Sequence, residues 1–375
     1  METDVLIIGA GLSGTALAAQ CRALGLRTHL VEQSGEPRAT GAGIMLHPNA
    51  LECLTDLGTR IPDAGRFIEH QTVRDAEGRS GTLSWSEVWP SGALPLAIDR
   101  RVLSELIIDH LGPGAVSWGL RPIGYEQDAE AVRVELSDGS VHRCRLLVGA
   151  DGINSWVRRR IDPATDPRPL GQTFWRTTVA EEAPFDFAEW RVWRGSGHFF
   201  GGMPIGGGRM HVFVQSSVAD PGRTDQSSVR ADMAALVAEI GTEAHRTFRE
   251  LRLDRDVDVR TVHGLLASRW TDGRVAIIGD AAHAVSPATT QGGGLALGDA
   301  VALAEHLALY GAGPDALARF ANTRRPQVVR FVRRARLHAE LITAVQNGQG
   351  VHEGAAPADA VEWFRRLYQP LLASA

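Results

Sequence analysis

Asp4-Val5-Leu6-Ile7-Ile8 is an unbroken apolar run, the composition of a strand buried on both faces of a parallel sheet. It ends in Gly9-Ala10-Gly11-Leu12-Ser13-Gly14. Thr15 to Leu24 then has helical composition, Gly25-Leu26-Arg27 turns the chain, and Thr28-His29-Leu30-Val31 reads as a second strand closed by Glu32. A GxGxxG alone is a weak signal in a chain with 41 glycines. Here strand, glycines, helix, strand and an acid about 20 residues on occur together, and that combination confines the start of the chain to a βαβ dinucleotide-binding unit. Gly9 permits the tight turn, Gly11 lets backbone approach a pyrophosphate, Gly14 lets helix pack on strand, and the helix start faces the phosphates. Leu12, Ser13 and Gln33 adjoin these positions and belong to the same expected contact set. Glu32 accepts from ribose hydroxyls and would repel a 2′-phosphate, so this site suits FAD or NAD rather than NADP.

Two further stretches end strands in an acid. Arg145-Leu146-Leu147-Val148-Gly149-Ala150 is a buried strand closing in Asp151-Gly152-Ile153-Asn154-Ser155. Gly273 to Ile278 is another, closing in Gly279-Asp280. After it come Pro287, a Gln291-Gly292-Gly293-Gly294 loop, and a helix from Leu295 to Leu309. Asp280 can accept from a polyol, and the free N–H groups opening the helix favour negative charge. Ligands of open α/β sheets sit at such carboxyl ends.

The rest of the chain supplies the surroundings. Gly41 and Gly43 point to close backbone approach to a ligand, Arg38 to a phosphate or entry-route contact, and His47 to a ring contact just before an Asn49–Leu57 helix. Phe67 to Leu96 reads as a β-rich excursion, and Asp138-Gly139 as a hairpin turn. Between Gly171 and Gln215 short strands carry clustered aromatics, which fits an antiparallel sheet with one face over a ligand. Trp175, Trp193, Phe200, Met203 and Phe213 are the expected substrate contacts. Ser227 to Ile240 is a helix, Arg324-Arg325-Pro326 is expected to interrupt the helical sequence that follows, and the arginines from Arg330 to Arg336 read as a solvated face.

At 375 residues there is room for two cored domains. The net charge of −5, with no basic stripe, gives no reason to expect nucleic acid, so a small molecule is the expected partner. Lysine is absent. Cys21, Cys53 and Cys144 lack metal-ligand spacing and read as reduced thiols, so no metal is expected. No basic leader precedes the first strand and no apolar run approaches the roughly 18 residues of a membrane span. A cytoplasmic protein, monomer or homodimer, without membrane contact is the expectation.

Taken in order, GAGLSG with Glu32, LLVGADGINSWVR, and GRVAIIGDAAHAVSP with QGGG and Asp299-Ala300 resemble the single-component FAD-dependent aromatic hydroxylases typified by para-hydroxybenzoate and salicylate hydroxylases. The Arg100-x-x-Leu103 step is similar too, and Trp175-Arg176 weakly so. The resemblance implies an α/β fold: a discontinuous Rossmann-like FAD-binding domain (1–66, 97–168 and 264–310), an inserted, mostly antiparallel β-sheet substrate domain (67–96 and 169–263), and a C-terminal helical segment (311–375). It assigns the first motif to the ADP half of FAD and Asp280 to the ribitol or pyrophosphate region. Asp151-Gly152 would serve FAD and, transiently, NAD(P)H. Arg38 and Arg100 fall near the cofactor, and Pro287 with Gly292, Gly293 and Gly294 beside the isoalloxazine ring. Thr290 stands where the family usually has glycine and Gly294 where it often has asparagine. The nicotinamide cofactor has no Rossmann domain of its own in this family, in line with the missing second GxGxxG, and the chain looks like a short-form member without a thioredoxin-like tail.

In the implied chemistry NADH or NADPH reduces FAD, O2 adds at the flavin C4a, and the hydroperoxide hydroxylates an aromatic, phenolic or polyketide-like molecule, as in bacterial secondary metabolism. His47, Arg176, His198 and His211 are candidates for a base, if one is used. An epoxidase, Baeyer–Villiger oxygenase or oxidase keeps every motif. A non-catalytic binding protein on a flavoprotein-like fold, as in guanine nucleotide dissociation inhibitors, predicts a degraded phosphate cradle, and this cradle is intact. An NAD-dependent dehydrogenase has no use for the distant Gly-Asp site.

Overall fold

The computed structural model describes residues 2–36, 42–55, 61–180, 188–195, 197–217, 222, 225–346 and 360–372. Arg38, Gly41 and the end of the helix expected through Leu57 lie outside the described residues. The opening apolar run forms the strand Glu2–Ile8, in which Val5, Leu6 and Ile7 have no exposure. It sits inside an eight-stranded sheet with parallel neighbours on both sides, Thr28–Glu32 and Val141–Gly149. Val116–Trp118 extends the parallel set beyond the first, and Val275–Ile277 beyond the second. In register, Ile8 lies opposite Gly149 and Gly149 opposite Ile277. The three sequence signatures therefore leave the sheet side by side at one carboxyl edge, where an open α/β sheet binds ligands.

A second, seven-stranded sheet runs Asp258–Gly264, Arg168–Ala180, Arg209–Ser216, His198–Pro204, Glu189–Gly195, His70–Asp75 and Ser80–Ser84. All its pairs are antiparallel except Glu189–Gly195 with His70–Asp75, so the early excursion and the 169–263 stretch share one sheet. Gly206, Gly207 and Gly208 all take positive φ where the chain turns between His198–Pro204 and Arg209–Ser216. Gly43–Leu46, Leu96–Asp99 and Arg66–Phe67 form a small third sheet. The α/β class, with a parallel cofactor-type sheet joined to an antiparallel one, is the architecture expected from the sequence.

Alternation gives the seven-stranded sheet two faces. Trp175, Trp193 and Phe200 point to one, where Gln226–Ile240 and Thr242–Glu250 cover them with Val229, Met233, Val237 and Phe248. Phe174, Val192 and Phe213 point to the other, packed with Val262, Trp190 and Phe199.

Pro326 does not interrupt the helical sequence. The helix Pro314–Gln346 runs through it. An interior proline costs about 3 kcal/mol, and tertiary contacts offset it: Phe320, Val328 and Phe331 have no exposure, and Arg324 is anchored inside. The helix Ala360–Leu372 packs against this long helix. Among the described residues no helix is long and apolar enough to cross a membrane, and no group of His, Cys, Asp or Glu could hold a metal ion.

Candidate active site

A cavity of about 720 Å³ opens at the carboxyl edge of the parallel sheet. Gly9, Gly11, Leu12, Glu32, Gln33, Arg100, Asp151 and Arg176 line it, with Arg159, Asp258 and Arg260 adding charge. The glycines divide by role. A Cβ on Gly9 (φ 105) would strike the Ala150 carbonyl and come within 2.9 Å of the Asp151 Cα, and one on Gly14 would strike the Gly9 carbonyl, so both keep helix and strands in contact. A Cβ on Gly11 would meet nothing within 4 Å. That position stays open to whatever fills the cavity.

The helix Leu12–Ala23 begins with no side-chain cap on its first N–H groups, and so does Gly292–Tyr310. By contrast, Asp99 caps Arg100–Leu111 through the Arg101 N–H (2.8 Å) and Asp225 caps Gln226–Ile240. The starts of Leu12–Ala23 and Gly292–Tyr310 pack against each other. A Cβ on Gly279 (φ 60) would meet Ser13 Oγ at 2.6 Å, and one on Gly293 would meet Ile44 Cδ1 at 2.7 Å and Leu12 Cδ2 at 3.4 Å. Orphan N–H groups at two adjoining helix starts are a fitting cradle for a ligand with a pyrophosphate at one point and a polarisable ring at another.

Carboxylates shape this edge from three strands. Glu32 accepts from the Ala10 N–H (2.9 Å) and the Ser34 N–H (2.9 Å), which ties the strand end to the glycine loop and leaves lone pairs for hydroxyls. Asp151 is occupied within its own turn by Ser155 Oγ (2.5 Å) and the Trp156 N–H (2.6 Å), and burial pushes its carboxyl up. Asp280 is exposed at the end of the third strand, although protein surrounds it closely enough that desolvation outweighs Arg100 and raises its carboxyl.

Behind Asp280 lies a buried charge cluster. Asp299 accepts from the Gly279 N–H (2.9 Å) and from Arg324 Nε (2.9 Å), and it meets His283 Nε2 at 2.5 Å. Burial opposes its charge, but His283 and Arg324 outweigh that and hold it below the usual carboxylate range. This cluster fixes the Gly279 turn from behind.

The expected base candidates separate. His198 lies on the helix-covered face of the second sheet, 3.1 Å from Glu239 Oε2, and is removed from the candidates because that face is closed off. His47 is 1% exposed and carries no open lone pair: Trp89 Nε1 donates to Nδ1 (3.2 Å) and Nε2 meets Thr290 Oγ1 (2.7 Å). Burial pushes it down to about 3, so it stays neutral and holds structure. His211 stands on the sheet's other face beside Gly43, likewise pushed down to about 3 by burial, with Arg176 adding to the effect. Arg176 reaches the cavity wall through its ion pair with Asp258 (2.9 Å).

Of the expected substrate contacts, Trp175, Trp193 and Phe200 are corrected: they form the core beneath the two covering helices. Met203 joins the main core, and Phe213 lies in the smaller buried cluster on the sheet's other face. Phe174 is buried with Phe213 in that cluster, and Trp190 and Phe199 pack against it. Strand alternation could have grouped them with Phe213, since residues two apart share a face. Gly43, expected to admit a ligand, instead admits the His211 side chain, whose Cβ would lie 2.5 Å from an added methyl. Gly294 similarly faces Gln291 Oε1 and Asn49 Nδ2, Pro287 is exposed, and Gly292 is half-buried.

A family model described as FAD binding domain matches residues 2–335 of this chain. The chain is 33% identical over 319 residues to 2-heptyl-3-hydroxy-4(1H)-quinolone synthase of Pseudomonas aeruginosa, a match covering 80% of this chain and 79% of that relative. It is 30% identical over 361 residues to 3-amino-4-hydroxybenzoate 2-monooxygenase of Streptomyces cremeus, covering 90% and 87%. In fold it is similar to Klebsiella pneumoniae HpxO complexed with FAD and uric acid, with a TM-score of 0.84 at 24% identity, covering 100% of this chain and 95% of that one.

Proposed function

This chain belongs to the FAD-binding, aromatic-hydroxylase-like family of flavoenzymes, and we propose that it is an FAD-dependent monooxygenase that hydroxylates an aromatic small molecule with NADH or NADPH and O2. The observation that carries this reading is the pair of uncapped helix starts meeting beside Gly279, at the in-register ends of three parallel strands. Bound FAD, once reduced, would activate dioxygen so that one oxygen atom enters the substrate and the other leaves as water.

The protein's part is binding, orientation and the exclusion of water. The open Gly11 backbone and the Leu12–Ala23 helix start would take the pyrophosphate, Glu32 the adenosine ribose, and Asp280 the ribitol hydroxyls. The N–H groups opening Gly292–Tyr310 would stabilise negative charge on the reduced ring. Phe174, Trp190, Phe199 and Phe213 offer an apolar face on which a planar substrate would lie, kept dry so that reduced oxygen is not lost as peroxide. His211, held neutral, is suited to a hydrogen bond with the substrate rather than to carrying its proton.

The test is turnover under labelled dioxygen with quinolone and aminohydroxybenzoate probes, following NADH and NADPH oxidation in parallel. One labelled oxygen atom per product molecule is expected. Product that carries its new oxygen from water, or peroxide formation with no product for every probe, would count against hydroxylation.

A further inference from the structure

Thr290 is the one non-glycine residue with positive φ among the described residues (φ 52, ψ 10). A left-handed backbone costs an ordinary residue about 1–2 kcal/mol, and such strain persists only where the surroundings over-determine it. The surroundings here are specific. Thr290 Oγ1 lies 2.7 Å from His47 Nε2, 3.1 Å from Tyr368 Oη and 2.8 Å from the Thr289 carbonyl oxygen. Because Trp89 Nε1 donates to His47 Nδ1, the His47 proton sits on Nε2 and is donated to Thr290. Tyr368 in turn donates to the Thr289 carbonyl at 3.2 Å.

Two segments distant in sequence thus converge on one hydroxyl of the turn, the residue before the Pro48–Thr55 helix and the last helix, with Trp89 of the early excursion holding His47 from behind. His47 and Tyr368 are 1% exposed, and their rings stack edge-on at 4.9 Å. The turn they grip leads through Gln291 directly into the uncapped start of Gly292–Tyr310.

We propose that Thr290 is a positioning residue: its hydroxyl, tied through His47 and Tyr368 to the C-terminal helix, latches the turn that aims the Gly292 helix start at the flavin ring. The flavin clause rests on the function proposed above, whereas the latch itself is a property of the folded chain. The last helix is thereby coupled to the cofactor site without touching it.

Three variants test this: Thr290→Ala removes the hydroxyl, Thr290→Ser keeps it, and Tyr368→Phe removes one partner while leaving the ring. Amide hydrogen exchange across residues 291–296 is measured on each full-length protein, without and with added FAD, along with the visible spectrum and reduction potential of any bound flavin. Exchange about tenfold faster is expected in Thr290→Ala and Tyr368→Phe, the worth of one buried hydrogen bond. The flavin spectrum and potential should shift in the same two variants and return with Thr290→Ser. Unchanged exchange in both hydroxyl-removing variants would overturn the latch, as would a serine variant indistinguishable from alanine. If Thr290→Ala fails to fold, Tyr368→Phe decides. Wild-type protein that never binds FAD would defeat the flavin reading, while the exchange comparison would still decide the latch.

Discussion

Single residues here act through burial more than through reactivity. His47 looked like a ring contact because it precedes a helix near glycines, and the structure does set it beside the turn before Gly292. What sequence could not disclose is that Trp89 and Tyr368, far along the chain, close over it. Its neutral form is favoured in the folded protein, so the stability it contributes is complete above its unfolded pKa near 6.5 and is lost as pH falls toward about 3. Each pH unit in that window removes about 1.4 kcal/mol for this one group. Denaturant titrations of wild type and His47→Asn between pH 7 and 5 should show the variant less stable at pH 7 with a shallower fall. Parallel curves would mean that His47 is not held neutral. Glycines were more legible: the turn at Gly9 and the close packing at Gly14 match the clash a side chain would meet at each, because a turn and a close approach are local demands.

At the scale of elements, strands were legible where both faces are buried, since an unbroken apolar run has few other uses. The face of a half-buried strand was not. Trp175 and Phe213 are equally aromatic, and only the placement of Gln226–Ile240 and Thr242–Glu250 decides which of them lies beneath the covering helices. Phe200→Ala should therefore cost about 3–5 kcal/mol of stability with substrate affinity unchanged in the surviving fold, whereas Phe213→Ala should raise KM with a smaller loss of stability. The reverse pattern in denaturation and steady-state kinetics would exchange the two faces. Pro326 misled because local rules do not see Arg324, which carries the long helix to Asp299. Asp299→Asn leaves Arg324 and His283 without their shared anion, and a loss of about 3–5 kcal/mol is expected by thermal or denaturant unfolding. A loss below about 1 kcal/mol would mean that the cluster does not hold the Gly279 turn.

Over the whole molecule, three stretches separated by more than a hundred residues meet because parallel strands place their carboxyl ends side by side. That meeting was foreseeable from motif order, and so was the antiparallel partner sheet, since both follow from patterns repeated over many residues. The grip of the C-terminal helix on the turn at Thr290 was not, because it depends on one tyrosine hydroxyl arriving from the far end of the chain. On the proposed function, the parallel-sheet edge would form a single cradle from Gly11 to Asp280 for one extended dinucleotide. The most direct measurement is a titration of purified, flavin-stripped protein with FAD, followed by absorbance and fluorescence, for wild type and Asp280→Ala. The cradle predicts saturable binding of one FAD per chain to the wild type and its loss in the folded variant. A wild type that takes up no FAD, or an Asp280→Ala protein that binds it with wild-type affinity and spectrum, would contradict it.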